Sequence, residues 1–381
     1  VELTAPDRKL ARGRRRLELR VLRYLPFATR GLLRSGPPIH LTLFVTGACN
    51  LRCRHCFHWR EVAAGVQGPS LANVRALADS VAHMGPLLWL SLGGGEPFLR
   101  KDLVDVASAF ASHGLRHLAI PTNGLLPDRA EAFAEEILTR HADLHLAISV
   151  SFDGPPPIHD AIRQIEGGHA RSMEQVRRLK RLQERHPRLG VGVIVCVTRE
   201  NQEVLAEHVE VLARELRPDN VTVNLARSDA LDRTLLDVDV ARYEDVVAAK
   251  KRLQSSGALP YFDFPLARVA QARDEMMYEH VARVARGENA SRHLPCTAGS
   301  ISAVVMENGE VRACESLPDA IGNLADTGWN LEKLWNTAAA RDLRKRIEST
   351  KCACTWECAQ ADNVLFNARQ WPELARRAAF G

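Results

Sequence analysis

The chain has 381 residues, 46% of them hydrophobic and 25% charged, with a net charge of +5. That length suits two domains, or one large α/β barrel with an appendage. No run approaches 18 apolar residues, so no spanning helix is expected. Nine cysteines, grouped mainly at 49–56 and 296–358, argue against a disulfide framework and for metal ligation in a reducing compartment.

Residues 1–38 read as a basic arm closed by Pro37-Pro38. Residues 1–35 hold ten Lys/Arg against Glu2, Asp7 and Glu18, a net of +7 that leaves the remainder at −2. Leu17, Val21 and Leu25 recur at i, i+4 and i+8, the pattern of an amphipathic helix. Such a helix docks by its apolar stripe, and through residues 8–34 its basic face also suits an anionic membrane surface or an acidic partner. Nucleic acid is not expected, because only Tyr24 and Phe27 interleave the charges. Arginines interrupt each early apolar stretch, so no signal-peptide pattern is present and a cytoplasmic location is expected.

From residue 39 a βα alternation begins. Strands are expected at Leu41–Val45, Leu87–Leu92, Leu115–Ile120, Leu144–Ser151, Gly190–Val197 and Val221–Leu225. Helical patterns lie between them near 71–84, 102–113, 128–140, 171–186 and 201–216. The alternation predicts a parallel sheet with helical crossovers. In such barrels chemistry gathers at the C-terminal strand ends. After the first strand come Cys49, Cys53 and Cys56, three thiols that one short loop can wrap around a metal centre. Zinc would normally recruit a fourth protein ligand nearby. A [4Fe–4S] cluster can use three thiolates and leave one iron open.

Later strand ends carry Gly93-Gly94-Gly95-Glu96-Pro97, Thr122-Asn123-Gly124 and Ser149-Val150-Ser151-Phe152-Asp153-Gly154. The glycines allow close backbone approach, and Glu96 offers a carboxylate to an ammonium group. Ser149, Ser151 and Asp153 share one face and suit ribose or amino-acid groups. Cys196 reads as a small buried hydrophobe in the fifth strand. Residues 236–295 form a helical connector, with helices near 239–254 and 265–287 joined by the aromatic stretch Leu259–Pro265, read as a simple joint.

Cys49-x3-Cys53-x2-Cys56, Gly94-Gly95-Glu96-Pro97 and Ser151-Phe152-Asp153-Gly154 together resemble the radical S-adenosylmethionine enzymes over about residues 40–226. The resemblance implies a partial (β/α)6 TIM-like barrel, here over 39–235. It implies a [4Fe–4S] cluster on Cys49, Cys53 and Cys56 whose open iron is chelated by S-adenosylmethionine. It further implies reductive cleavage to a 5′-deoxyadenosyl radical that abstracts a substrate hydrogen. Gly94, Gly95 and Glu96 would meet the methionine ammonium, and Ser151 and Arg163 its carboxylate. Asn123 and Asp153 would complete the cofactor pocket, with His55 and Leu225 beside the adenine. His55 departs from the aromatic residue common before the third cysteine, but imidazole can also stack.

Cys296, Cys314, Cys352, Cys354 and Cys358 form a second group. Asn308-Gly309 supplies a hairpin turn between Ile301–Met306 and Val311–Ala313, which brings Cys296 and Cys314 together. A helix is expected near 331–348. Zinc is the alternative occupant of such a thiol set. The segment resembles the SPASM domain, or its shorter twitch relative, an α+β auxiliary-cluster domain over 296–381. Five cysteines suffice for one fully ligated auxiliary [4Fe–4S] cluster, expected on Cys296, Cys314 and Cys358, with Cys354 as fourth ligand and Cys352 its rival. Glu315 corresponds to a carboxylate proposed as a base in sulfatase-maturing relatives; otherwise it is a surface glutamate in a turn.

The resemblance implies a radical enzyme, with oxidative modification or crosslinking of a peptide as the expected outcome. A flavodoxin or ferredoxin would supply electrons, and a separate protein would present the peptide. A lipid or small-metabolite substrate is the alternative, and a non-catalytic iron–sulfur or zinc protein is the rival class.

Overall fold

The computed structural model describes residues 23–34, 36–227, 229–288 and 294–380. The expected amphipathic helix over Leu17–Leu25 therefore lies almost wholly outside the described residues. Its last residue begins α1 (Leu25–Leu33). Phe27 of that helix is buried against Ile39, Ile301 and Phe366, while Leu25 and Leu33 are exposed.

Among the described residues, nine strands form one sheet in the order β6-β5-β4-β3-β2-β1-β7-β8-β9. The first six are β1 (His40–Thr46), β2 (Trp89–Gly94), β3 (His117–Thr122), β4 (His145–Ser151), β5 (Leu189–Val197) and β6 (Asn220–Leu225), and all pair in parallel. The crossovers include α2 (Trp59–Ala64), α3 (Leu71–Met84), α4 (Leu103–Ala111), α5 (Pro127–Arg140), α6 (Pro156–Arg163), α7 (Gly168–Gln183) and α8 (Leu205–Leu216). Alternation along each strand sorts the two faces. Leu41, Leu43 and Val45 of β1, and Leu146, Ile148 and Val150 of β4, are fully buried under the helices. His40, Thr42, Ser149 and Ser151 lie on the opposite, half-open face.

β2 and β3 begin and end two residues later than expected. Leu87 and Leu115 are buried, but they precede the ladder: apolar character reports burial, not pairing. Helix α6 was not anticipated; Pro156-Pro157 open it, since proline is tolerated in a helix's first turn.

The C-terminal segment is not a detached layer. β7 (Ser302–Val305) pairs in parallel with β1, and β8 (Glu310–Arg312) and β9 (Ala320–Asn323) continue the same sheet. The expected hairpin is present, while β9 was missed. The helix expected near 331–348 is two helices, α11 (Leu331–Trp335) and α12 (Ala338–Ser349). Thr337 restarts it as an N-cap, its side chain accepting from Ala340 N.

Helices α9 (Val240–Ser255) and α10 (Ala267–Ala285) form the connector; α13 (Glu357–Leu365) and α14 (Trp371–Phe380) end the described chain. An open parallel sheet leaves an unpaired edge on β6. Two side chains cap it: Tyr278 Oη of α10 accepts from Val223 N at 3.1 Å, and Glu357 Oε1 of α13 accepts from Leu225 N at 2.9 Å. At the other side of the gap, Asp362 of α13 bonds His40 of β1 at 2.9 Å.

The aromatic stretch 259–265 is more than a joint. It plugs the barrel at the N-terminal strand ends. Phe264 packs edge-on to His117 and Tyr261 Oη donates to Asp274 at 2.6 Å. Phe262 sits where a Cβ on Gly190 would come within 2.6 Å of it. A 3.1 Å clearance separates the same ring from a Cβ built on Gly192. The glycines of β5 make room for the plug, a tertiary reason that no local pattern announces.

Candidate active site

The cysteine loop leaves β1 and is fixed on every side. Gly95 N donates to Thr46 O at 2.7 Å and Glu96 N to Ala48 O at 2.8 Å. A Cβ at Gly94 would lie 2.2 Å from Thr46 O, and one at Gly95 2.1 Å from Ala48 O. Two of the three glycines therefore exist to let β2 lie against the loop. Gly93 has open space at its Cβ position, so its backbone is approachable by a ligand. Asn123 Nδ2 donates to Asn50 Oδ1 at 2.7 Å, Arg54 N to Ile162 O at 2.9 Å, and Asp232 N to Arg54 O at 2.7 Å.

The three thiols share one electrostatic neighbourhood. Burial pushes Cys53 up to about 12, with Asp153, Cys56 and Cys49 adding to it and Arg163 opposing. Burial likewise pushes Cys56 up to about 11 and raises Cys49. Leu51 N donates to Cys49 Sγ at 3.4 Å. Buried sulfurs that receive N–H donors but stay protonated alone fit soft-metal ligation, which removes the proton outright.

The expected cofactor residues converge on this loop, but several are already engaged. Glu96 is buried, and its carboxylate accepts from Phe98 N at 3.1 Å, Thr122 Oγ1 at 2.9 Å and Asn123 N at 2.8 Å. It locks the ends of β2 and β3 together; burial raises its pKa to about 6 against those three donors. Arg163 Nε donates to Asp153 Oδ2 at 2.7 Å, and both residues are buried. Burial alone would raise Asp153, but Arg163, then His55 and His159, hold it near 2. His55 Nε2 lies 3.7 Å from Asp153 Oδ2, while its Nδ1 is buried with no hydrogen-bond partner among the described residues. Such an orphan beside the thiols fits a polar ligand edge, adenine included. Ser151 ends β4 on the half-open face, and Leu225 ends β6, buried. Cys196 belongs to that open face as well: Val195 and Val197 are fully buried, whereas Cys196 is only half-buried. It lies within the field of Asp153, Arg227 and Arg163. The reading of it as a buried hydrophobe is corrected by the strand's alternation.

Within the second cysteine group, four thiols act on one another. Cys296 and Cys352 lie close enough to share a proton, which raises Cys296 and draws Cys352 down to about 7. Cys314 feels Cys352, and Cys354 feels Cys314 and Cys352. Cys358, in the first turn of α13, is open to solvent on one side although its thiol lies within the fold. Burial pushes it up to about 12, and its strongest charged neighbours are Glu315 and Arg227 rather than other thiols. Glu315 is half-buried, not on the outer surface. Burial raises its pKa, while Arg227, His40 and His58 and a hydrogen bond from Trp356 oppose the rise.

Sequence reasoning passed over Arg227, Trp356 and Glu357, which join the two cysteine groups. Arg227 Nη1 donates to Thr355 O at 2.8 Å and to the Glu357 carboxylate, and its Cζ sits 4.1 Å over the Trp356 ring. Trp356 also meets Phe57, next to Cys56, edge-on at 5.0 Å. His58 bonds Glu307 of the β7–β8 turn.

A parallel half-barrel with three thiols on its first loop, continued by a sheet extension carrying more thiols, defines an iron–sulfur protein of the radical SAM kind. The radical SAM superfamily model matches residues 43–212, and the SPASM iron-sulfur cluster-binding domain model matches residues 296–359. The chain thus belongs to the radical SAM superfamily and carries a C-terminal SPASM domain; these domains bind a [4Fe–4S] cluster with S-adenosylmethionine, and an auxiliary iron–sulfur cluster, respectively.

Among relatives, the PqqA peptide cyclase of Rhodopseudomonas palustris is 30% identical over 59% of this chain and 59% of its own length. Mycofactocin maturase MftC of Mycobacterium tuberculosis is 26% identical over 83% of this chain and 75% of its own. In structure the chain is similar to Streptococcus suis SuiB, with a TM-score of 0.58 at 15% identity, covering 81% of this chain and 68% of that one. Among the described residues, no helix is long and apolar enough to cross a membrane.

Proposed function

We propose that this chain is a radical SAM enzyme that oxidatively modifies or crosslinks a peptide. The observation that carries the reading is that the β1 loop with its three thiols, Cys49, Cys53 and Cys56, meets through Phe57 and Trp356 the segment that bears Cys354 and Cys358, which with Cys296 and Cys314 make a set of four, Cys352 being the rival to Cys354. Three thiolates leave one iron of a cubane cluster for an exchangeable ligand, whereas four close a cluster. The peptide cyclase among the relatives supports a peptide as substrate class.

When bound, the cofactors supply the radical chemistry; the chain supplies placement. Backbone groups at Gly93–Gly95 and Ser151 on the open strand face suit the ammonium and carboxylate of an amino-acid moiety, and Arg163 adds a buried cation. Glu96 and Asn123 act by holding the strand ends against the cysteine loop, and Asp153 by fixing Arg163. His55 and Leu225 flank the adenine. Glu315, raised by burial and held by Trp356, accepts a proton from the substrate as it is oxidised. A flavodoxin- or ferredoxin-type protein delivers electrons, a separate protein presents the peptide, and a reducing cytoplasm keeps the thiols competent.

The test is anaerobic reconstitution and reduction with S-adenosylmethionine, measuring iron and 5′-deoxyadenosine. Roughly eight irons per chain are expected for two cubane clusters, and a Cys49→Ala/Cys53→Ala/Cys56→Ala variant should lose both half the iron and the product. Equal 5′-deoxyadenosine from parent and variant would sink the enzyme reading. Deuterium transfer from peptides encoded beside the gene tests the substrate class; transfer only from small metabolites would replace it.

A further inference from the structure

We infer that Arg227 and Glu357 are positioning residues that set the reduction potential of the auxiliary cluster from the rim of the barrel. The inference rests on the two-cluster reading above. Arg227 follows the end of β6 by two residues, at the rim where the first thiol loop also sits. Its guanidinium grips three consecutive residues, Thr355 through its carbonyl, Trp356 through its ring face and Glu357 through its carboxylate. Those are the three residues between Cys354 and Cys358. Glu357 in turn takes Leu225 N of β6 at 2.9 Å. One ion pair therefore fixes the thiol-bearing segment to the barrel from both ends of the contact.

The pair is also poised electrostatically. Arg227 retains only 17% of its side-chain exposure and Glu357 4%, so solvent screens them little. Burial disfavours the Arg227 cation, and Cys358, Cys196, Glu315 and Cys354 are the groups that favour it. A cation near an iron–sulfur cluster stabilises the reduced, more negative state, and an anion opposes it; cluster potentials respond to net charge in this way. With both members present their fields largely cancel. Removing either one leaves the other uncompensated.

Full-length parent, Arg227→Gln and Glu357→Gln proteins, reconstituted anaerobically, provide the test through redox titration followed by electron paramagnetic resonance, with iron per chain measured alongside. The auxiliary midpoint should move to more negative values in Arg227→Gln and to more positive values in Glu357→Gln. The midpoint of the Cys49–Cys56 cluster should stay fixed. A merely structural role would not shift the two variants in opposite directions. Unmoved auxiliary midpoints, or shifts of the same sign, overturn the inference. If Arg227→Gln fails to fold, Glu357→Gln decides alone: an upward shift supports the inference and none refutes it. A parent with iron for a single cluster would refute the two-cluster reading and this inference with it.

Discussion

Arg163 and Asp153 form a buried ion pair, Nε to Oδ2 at 2.7 Å, beneath the loop that carries Cys53. The second carboxylate oxygen, Oδ1, accepts from Cys196 N at 3.2 Å, and the Asp153 carbonyl accepts from Asn201 Nδ2 at 3.0 Å. The aspartate thereby ties β4, β5 and α6 together. Replacing Asp153 with Asn should cost about 3–5 kcal/mol, because the guanidinium is left buried without its counter-ion. Urea unfolding of the parent and variant checks this; a loss below about 1 kcal/mol, the scale of an exposed pair, would contradict it.

Gly95 lies against the cysteine loop so closely that a methyl group would overlap Ala48 O. Gly95→Ala should displace the loop while the β sheet still forms. The expected result is loss of roughly four irons per chain, one cubane cluster, with far-UV circular dichroism unchanged. Full iron loading of the variant would show that the loop tolerates the shift.

At the other end of the barrel, the Phe262 ring occupies the space above Gly190. Gly190→Ala should destabilise by about 1–3 kcal/mol through overpacking. Phe262→Leu in the same chain should recover part of that loss, giving a coupling energy of about 0.5 kcal/mol or more in a double-mutant cycle. Strict additivity would mean that the two residues do not meet.

Four buried histidines give the fold a pH dependence. Burial lowers His117 and His159 to about 3, and His208 and His280 to about 4, from 6.5. The unfolded chain binds protons first, so their contribution is complete above pH 6.5 and is lost as pH falls from there toward each folded value. Each histidine adds a slope of up to about 1.4 kcal/mol per pH unit in that window. Glu96 opposes them between 4.5 and about 6, and Glu315, which burial also raises, acts in the same sense, two carboxyls against four imidazoles. Unfolding free energy should therefore drop between pH 7 and pH 5, and a His117→Gln variant should show a shallower drop. A flat profile would contradict the assignment.

The spacing of Cys49, Cys53 and Cys56 after an apolar strand, and the six-fold alternation of buried runs with helical patterns, were legible in the sequence. Both are local: thiol spacing along a loop sets what the loop can wrap, and periodicity reports which face is buried. The Gly93–Gly95 run was legible as a place of close approach, though not as to what approaches. Two of its glycines meet the cysteine loop's own backbone, a partner about 47 residues away in sequence.

The remaining features depend on segments far apart in sequence. Periodicity cannot tell that β7 extends the barrel's sheet, that Phe262 fills the barrel base, or that Tyr278 and Glu357 cap the open edge of β6. Nor could spacing say what each of the five cysteines meets: Cys358 comes under the charges of Glu315 and Arg227, while Cys352 reaches Cys296. That a three-cysteine loop follows the first strand was readable from neighbours in the chain alone. The fold alone brings the Cys354–Cys358 segment to the barrel rim, because Arg227 and Glu357, 130 residues apart, meet only when the barrel edge is closed.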